Sequence, residues 1–412
     1  MSESRREKSN KTILILANND VGLYRFRKDL IEALLRDGNK VALSLPDGEF
    51  VREFERLGCE FIDTPIDRRG MNPLRDLSLF KSYKKLLRDL HPDLVITYTI
   101  KPNIYGGIAC RLAKIPYAVN ITGLGSAIEN GGFLKKFVLA LYRPALKKAK
   151  VVFFENSGNR DTLVAAGVVP DGKDVVLNGA GINLDDYPYQ PYPETEPIKF
   201  LFVGRVMREK GVDELFEAAK RMKAKFGNKV EFHIVGSFEE SYKPIMDELE
   251  KAGTVRYHGY QTDVRKFYRM AHCVVLPSYH EGMSNVLLEA AASGRPIITT
   301  DVPGCREAVV DGESGVLCEA KDADSLFAAM ERFASANDNC KKQMGISGRS
   351  YIGQRFNKSC VVEITISFLM IRRPPRSTPY PTLFPYTTLF RSPSLLFSVG
   401  TFSGLAYWAL RY

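Results

Sequence analysis

The feature that most constrains this chain is a set of short, wholly apolar runs separated by helix-length stretches. Lys11–Ala17 (KTILILA) is the first. A strand with no polar alternation has no face to offer water, so it belongs inside a parallel sheet covered by helices on both sides. A loop, a helix over Lys28–Arg36 stopped at Asp37-Gly38, and a second strand at Lys40–Ser44 follow. That β–loop–α–β opening is doubly wound α/β. Glu60–Thr64, Pro92–Tyr98, Tyr117–Ile121, Val151–Glu155 and Val175–Asn178 continue the strands, with helices at Phe50–Gly58 and Leu77–Leu90.

YPYQPYPETEP (187–197) has four prolines and no periodicity, which marks a linker. After it the alternation starts again with Ile198–Val203, Glu214–Phe226, Val230–Val235, Cys273–Leu276, Val286–Ser293 and Pro296–Thr299. A chain of 412 residues exceeds one ordinary domain. The reading is an α/β protein of two Rossmann-like, doubly wound parallel-sheet domains, 1–187 and 198–355, with a linker at 188–197. A closing helix over 356–367, complete or truncated, returns to the first domain. The opening MSESRREKSNK is polar and charged rather than a secretory signal, and seven scattered Cys show no metal spacing.

Two stretches carry candidate chemistry. HEGMSNVLLE (280–289) places Glu281 before a helix and Glu289 within it, with Gly282, Met283, Ser284 and Asn285 opening that helix. A helix N-terminus has unpaired N–H groups and a positive dipole end, which suit a diphosphate. FVGRVMREKG (202–211) places Gly204, Arg205 and Lys210 in the loop after a strand, where two cations can neutralise the same anion. Together they suggest a nucleotide-sugar site, with carboxylates left for sugar and ribose hydroxyls. Taken alone, either glutamate would pass for an ordinary helix-start or surface carboxylate.

These residues resemble the C-terminal half of a family-4 retaining glycosyltransferase, which has the two-domain GT-B fold with domains facing across a cleft. The resemblance is carried by GRVMREKG (204–211), HIVGSF (233–238), HGY (258–260) and LPSYHEGMSNVLLEAAASGRPIITTDVPG (276–304), and extends over about residues 11–365. It implies that Glu281 meets the donor sugar, Glu289 the ribose, and Gly259-Tyr260 the base. It also implies that Arg205 and Lys210 stabilise the departing UDP without a metal. No cofactor is then expected, and the UDP-sugar is a substrate.

In the first half, NNDVGLYRFR lies at the carboxyl end of the first strand, where open α/β sheets take ligands. Gly22 there is either a close-approach glycine or a simple turn glycine. Arg25 and Arg27 either meet an acceptor diphosphate or are solvated helix-start residues. Lys101, in TIKPNIYGG, is a candidate for an acceptor phosphate. TGLGSAIENGG (122–132) reads as an acceptor-side loop. Family members often carry a His at the end of the preceding strand, and here Asn120 or Thr122 stands in its place. The texts NNDVGLYRFR, TIKPNIYGG and NITGLG most resemble bacterial N-acetylgalactosaminyltransferases acting on lipid-linked oligosaccharides.

FLKKFVLALYRPALKKAK (133–150) aligns Phe133, Phe137 and Leu141 and carries six cations with no acid. Such a helix either lies on an anionic membrane surface or packs on the sheet with its charges in water. Pro144 is expected to bend or split it.

Residues 370–392 (MIRRPPRSTPYPTLFPYTTLFRS) resemble a translated sequencing adapter, so 368–412 reads as an artefactual tail. The tail holds five Arg and no acid; without it 53 cations face 48 acids, and the net charge of +10 falls to +5. Its apolar run 395–410 is shorter than the ~20 residues of a membrane span. No nucleic-acid motif accompanies the residual charge. The expected activity is transfer of a sugar, an N-acetylhexosamine, from a UDP-sugar to an undecaprenyl-diphosphate-linked saccharide at the cytoplasmic face of a bacterial membrane. The alternatives are a UDP-sugar 2-epimerase-like enzyme of the same fold and a non-catalytic nucleotide-sugar binder.

Overall fold

A computed structural model of the chain describes residues 10–67, 72–125, 132–194 and 196–370. Residues 371–412, with all of the adapter-like segment after Met370, and part of the glycine-rich loop (126–131) lie outside the described residues.

The first half contains strands β1 (Thr12–Leu16), β2 (Lys40–Leu45), β3 (Glu60–Asp63), β4 (Leu94–Tyr98), β5 (Tyr117–Ile121), β6 (Val151–Phe154) and β7 (Asp174–Val176). Its helices are α1 (Asp20–Arg36), α2 (Val51–Arg56), α3 (Pro73–Leu90), α4 (Gly107–Ala113, entered through a π turn at Pro102–Gly106), α5 (Gly132–Leu146) and α6 (Ser157–Ala165). The strands form one parallel sheet in the order β3-β2-β1-β4-β5-β6-β7. The apolar runs need both faces covered, and β1 shows how this happens. Ile13 and Ile15 join a core with Leu23, Ile31 and Leu34 of α1 and Phe54 of α2. Leu14 and Leu16 point the other way, to Tyr83 and Leu87 of α3, Ile104 and Tyr142.

The second half contains β8 (Ile198–Val203), α7 (Val212–Phe226), β9 (Val230–Val235), α8 (Lys243–Lys251), β10 (Arg256–Tyr257), α9 (Arg265–Met270), β11 (Cys273–Leu276), α10 (Asn285–Ala292), β12 (Ile297–Thr300) and β13 (Gly315–Cys318). Then come α11 (Ala323–Ser335), α12 (Asp338–Arg355) and α13 (Lys358–Met370). Its parallel sheet runs β10-β9-β8-β11-β12-β13. In both sheets the order reverses beside the first strand, β1 to β4 and β8 to β11. Ligands of doubly wound folds bind at such reversals, beyond the carboxyl ends of the strands.

Three sequence expectations need correction. The first helix begins at Asp20, eight residues earlier than Lys28, because Asn19 caps it by accepting from the Gly22 N–H at 2.6 Å. Gly22, Arg25 and Arg27 therefore lie within the helix. Pro144 does not split α5; it sits in the last turn, two residues before the end. The closing helix extends past 367 to Met370. It docks on the first domain, where Val361 and Leu369 enter the α1 core, Lys358 Nζ lies 3.1 Å from Asp29 and Phe368 meets Phe153 edge-on.

Leu369 is 1% exposed near the end of that helix. Leu369→Ala is expected to cost ~2–5 kcal/mol, read as a lower urea midpoint for the first domain. An unchanged midpoint would mean that the end of α13 does not hold the domain.

Candidate functional site

The site forms where the carboxyl edges of the two sheets meet, and its second-domain wall is built from strand-end glycines. Gly204 follows β8, Gly236 follows β9, and Gly259 lies two residues after β10. The Gly204 N–H bonds Val235 O and the Gly236 N–H bonds Gly259 O, both at 2.9 Å. A Cβ on Gly236 would fall 1.7 Å from Gly204 O, so no other residue fits there. Tyr260, beyond the turn, is 57% exposed.

Lys210 ends a 3₁₀ turn, Arg208–Lys210, in the loop after β8. Its ammonium forms an ion pair with Glu281, whose Oε1 also accepts from Ser278 Oγ at 3.0 Å. Both side chains are about five-sixths buried. Arg205 is half exposed and only 3.9 Å from Glu239, so its guanidinium is held loosely at the rim. Ser284 is the N-cap of α10, yet its side chain makes no cap hydrogen bond, which leaves first-turn N–H groups for another acceptor. Its backbone N–H bonds Gly304 O at 2.9 Å.

Glu289 accepts from Tyr268 Oη at 2.8 Å, and Tyr187 also bonds it. Burial pushes its carboxyl above the usual range, opposed by the two phenols and by Arg25. Arg25 reaches across from α1, with Nη2 3.5 Å from Tyr260 Oη and 3.4 Å from Thr262 O. These are weak contacts by hydrogen-bond criteria.

The remaining first-domain candidates divide. Thr122, at the end of β5, faces the cleft, and its carbonyl lies 1.8 Å from the position a Cβ on Gly282 would take. Asn120 is 3% exposed and turns into the sheet, 3.5 Å from Thr97 O. Lys101 bonds Asp76 at 2.7 Å, and Tyr105 bonds the other oxygen of that carboxylate at 2.9 Å. Lys101 thus pairs with a carboxylate on α3 that Tyr105 of the π turn also holds.

Sequence reasoning passed over Glu155 and Asn156, which follow β6 and touch the 281–283 segment across the cleft. Their only sequence signal was turn and cap chemistry, and Asn156 does cap α6 at the Asn159 N–H, 2.7 Å away. Arg27 is buried against Glu155 and 5.1 Å from the Tyr98 ring centroid. Among the described residues, no three His, Cys, Asp or Glu side chains come together in a way that suits a metal ion.

His233 on β9 lies beneath the Gly236–Gly259 turn, stacked on His258 with a nitrogen–nitrogen distance of 2.9 Å, and 3.2 Å from Glu231. Burial, with the charges of His258 and Arg256, outweighs Glu231 and lowers its pKa to about 4. The unfolded chain therefore binds a proton first, and this group's stabilisation is present above ~6.5 and lost as pH falls toward 4. His233→Gln should flatten the fall in melting temperature between those pH values. An unchanged slope would place the titration elsewhere.

The family model described as glycosyl transferases group 1 matches residues 188–350, and the one described as glycosyl transferase 4-like matches 12–156. Over 329 residues the chain is 30% identical to the N,N'-diacetylbacillosaminyl-diphospho-undecaprenol alpha-1,3-N-acetylgalactosaminyltransferase of Campylobacter jejuni, covering 76% of this chain and 86% of that protein. It is 26% identical to the capsular polysaccharide biosynthesis glycosyltransferase CapM of Staphylococcus aureus, covering 85% and 94%. The fold matches the crystal structure of Anabaena HepE in complex with UDP and glucose, with a TM-score of 0.72 at 18% identity over 88% of this chain and all of that one.

Proposed function

The chain belongs to the group 1, family-4-like glycosyltransferases, and on that premise we propose that it moves an N-acetylhexosamine, with retention, from a UDP-sugar to an undecaprenyl-diphosphate-linked saccharide. The observation that carries the reading is the pairing of Lys210 with Glu281 beside the open first turn of α10. A cation, a carboxylate and a helix start without a side-chain cap share one wall. Lys210, Arg205 and the N–H groups of Gly282 and Asn285 take the diphosphate, Glu281 takes sugar hydroxyls, and Glu289 with Tyr260 lies toward the nucleoside. The Campylobacter relative's name supports the lipid diphosphate acceptor and the N-acetylgalactosamine donor.

In the proposed reaction the bond from anomeric carbon to diphosphate oxygen breaks, and UDP leaves with the electron pair. The acceptor hydroxyl attacks from the same face, and its proton passes to the leaving phosphate. Lys210 and the α10 N–H groups stabilise charge as it grows on that phosphate, a preorganised electrostatic effect. Domain closure excludes water that would otherwise hydrolyse the donor.

Contact with an anionic membrane surface belongs to this proposal. Phe137 of α5 is exposed beside Lys136 and Arg143, and α3 and α4 show Leu74, Leu77 and Leu112 with Lys81, Lys84, Arg88 and Lys114 on their outer sides. No described helix is long and apolar enough to cross a membrane. Sedimentation with phosphatidylglycerol vesicles is expected, weakened by salt and absent with phosphatidylcholine alone; equal binding to both would remove this part.

UDP at 100 times its Kd should stabilise the protein by ~2.7 kcal/mol, seen as a raised melting temperature that Arg205→Ala/Lys210→Ala abolishes. Glu281→Ala should retain UDP affinity within about threefold and lose transfer by ~10²–10³. A melt indifferent to UDP, or full transfer by Glu281→Ala, would overturn the assignment.

A further inference from the structure

Residues 281–283 are held from the opposite domain. Asn156 Nδ2 donates to Glu281 O at 3.1 Å and to Gly282 O. The Glu155 carboxylate faces the Met283 N–H, and its Oε2 lies 3.1 Å from where a Gly282 Cβ would stand. Glu155 in turn forms a buried ion pair with Arg27, their side chains 10% and 8% exposed. The Arg27 guanidinium also lies 5.1 Å from the Tyr98 ring centroid. Two first-domain side chains in the turn after β6 thus reach three residues of the second domain, backed by Arg27 of α1 and Tyr98 at the end of β4.

We infer that Glu155 and Asn156 are positioning residues, which hold the backbone of Glu281–Met283 across the cleft so that this segment is already arranged for the diphosphate, and that Arg27 fixes Glu155 in turn. The inference rests on the reading of 282–285 as the diphosphate-facing segment.

The chemistry favours position over stability. A buried Arg–Glu pair loses hydration on both ions, and replacing such pairs with apolar residues is often neutral or stabilising. What the pair supplies is one fixed acceptor at one N–H. Asn156 does two jobs through opposite ends of its amide. Oδ1 caps α6 at Asn159, and Nδ2 spans the cleft. The cap therefore survives Asn156→Asp, while the crossing donor is lost and a second carboxylate faces two carbonyl oxygens. Gly282 completes the arrangement, because any side chain there would strike Thr122 O.

The test uses the full chain and two readouts: amide hydrogen exchange at residues 280–288, and UDP affinity by calorimetry. Asn156→Asp and Glu155→Ala should speed exchange at Met283 by about tenfold or more and weaken UDP by about tenfold. Glu155→Ala leaves Arg27 buried without a partner and risks misfolding. The double variant Arg27→Met/Glu155→Gln keeps an acceptor for Met283 without a buried charge, and should restore both readouts to within about threefold of the wild type. Unchanged exchange and UDP affinity in folded Asn156→Asp would overturn the inference. So would a folded double variant as impaired as Glu155→Ala. If the wild type itself fails to bind UDP, the nucleotide reading falls, and the exchange arm still decides whether these residues hold the segment.

Discussion

The site depends on one close approach: the backbone of Gly282 against the carbonyl of Thr122, with room between them for nothing larger than hydrogen. That contact joins the end of β5 in one domain to the entry of α10 in the other. Around it lie the Asn156 bonds, the Glu155 acceptor and, on the far side, the Gly304 carbonyl that accepts from Ser284. The 281–283 segment is thus suspended between domains rather than built on one. Its carboxylate, Glu281, is then oriented by Lys210 and Ser278, both from the second domain.

Parallel sheets explain why such a site forms here. With every strand running the same way, each sheet gathers its strand-end loops along one edge, and the two edges meet. The glycines at 204, 236 and 259 keep the second edge low, so a ligand can approach backbone rather than side chains. Burial on both sheet faces supplies the rigidity. Successive residues of β1 feed two separate cores, and α13 seals one of them from the far end of the chain.

Much of this was legible in the sequence for identifiable reasons. KTILILA and its counterparts allow only covered parallel strands. EGMSN beside GRVMREKG brings helix-opening residues, cations and carboxylates into one pattern. Other parts were hidden because they depend on distant partners. NNDVG looks like a loop, and only the Asn19 bond to Gly22 shows that a helix has begun. Glu155-Asn156 has the composition of any turn before a helix, and nothing local reveals that Asn156 also reaches residue 282. Lys101 shows the reverse: its charge suggested a phosphate partner, while the fold pairs it with Asp76. Asn120 likewise turns into the sheet because β4 offers a carbonyl.

The central claim is that the wall formed by Lys210, Glu281 and the start of α10 is a nucleoside-diphosphate site. A crystal structure of the full chain grown with UDP tests it most directly. The account predicts the β-phosphate at hydrogen-bond distance, about 3 Å, from both Lys210 Nζ and the N–H groups of Gly282 or Asn285, with the uracil toward Gly259-Tyr260. UDP bound elsewhere, with Lys210 still paired to Glu281 and no phosphate beside them, would contradict it.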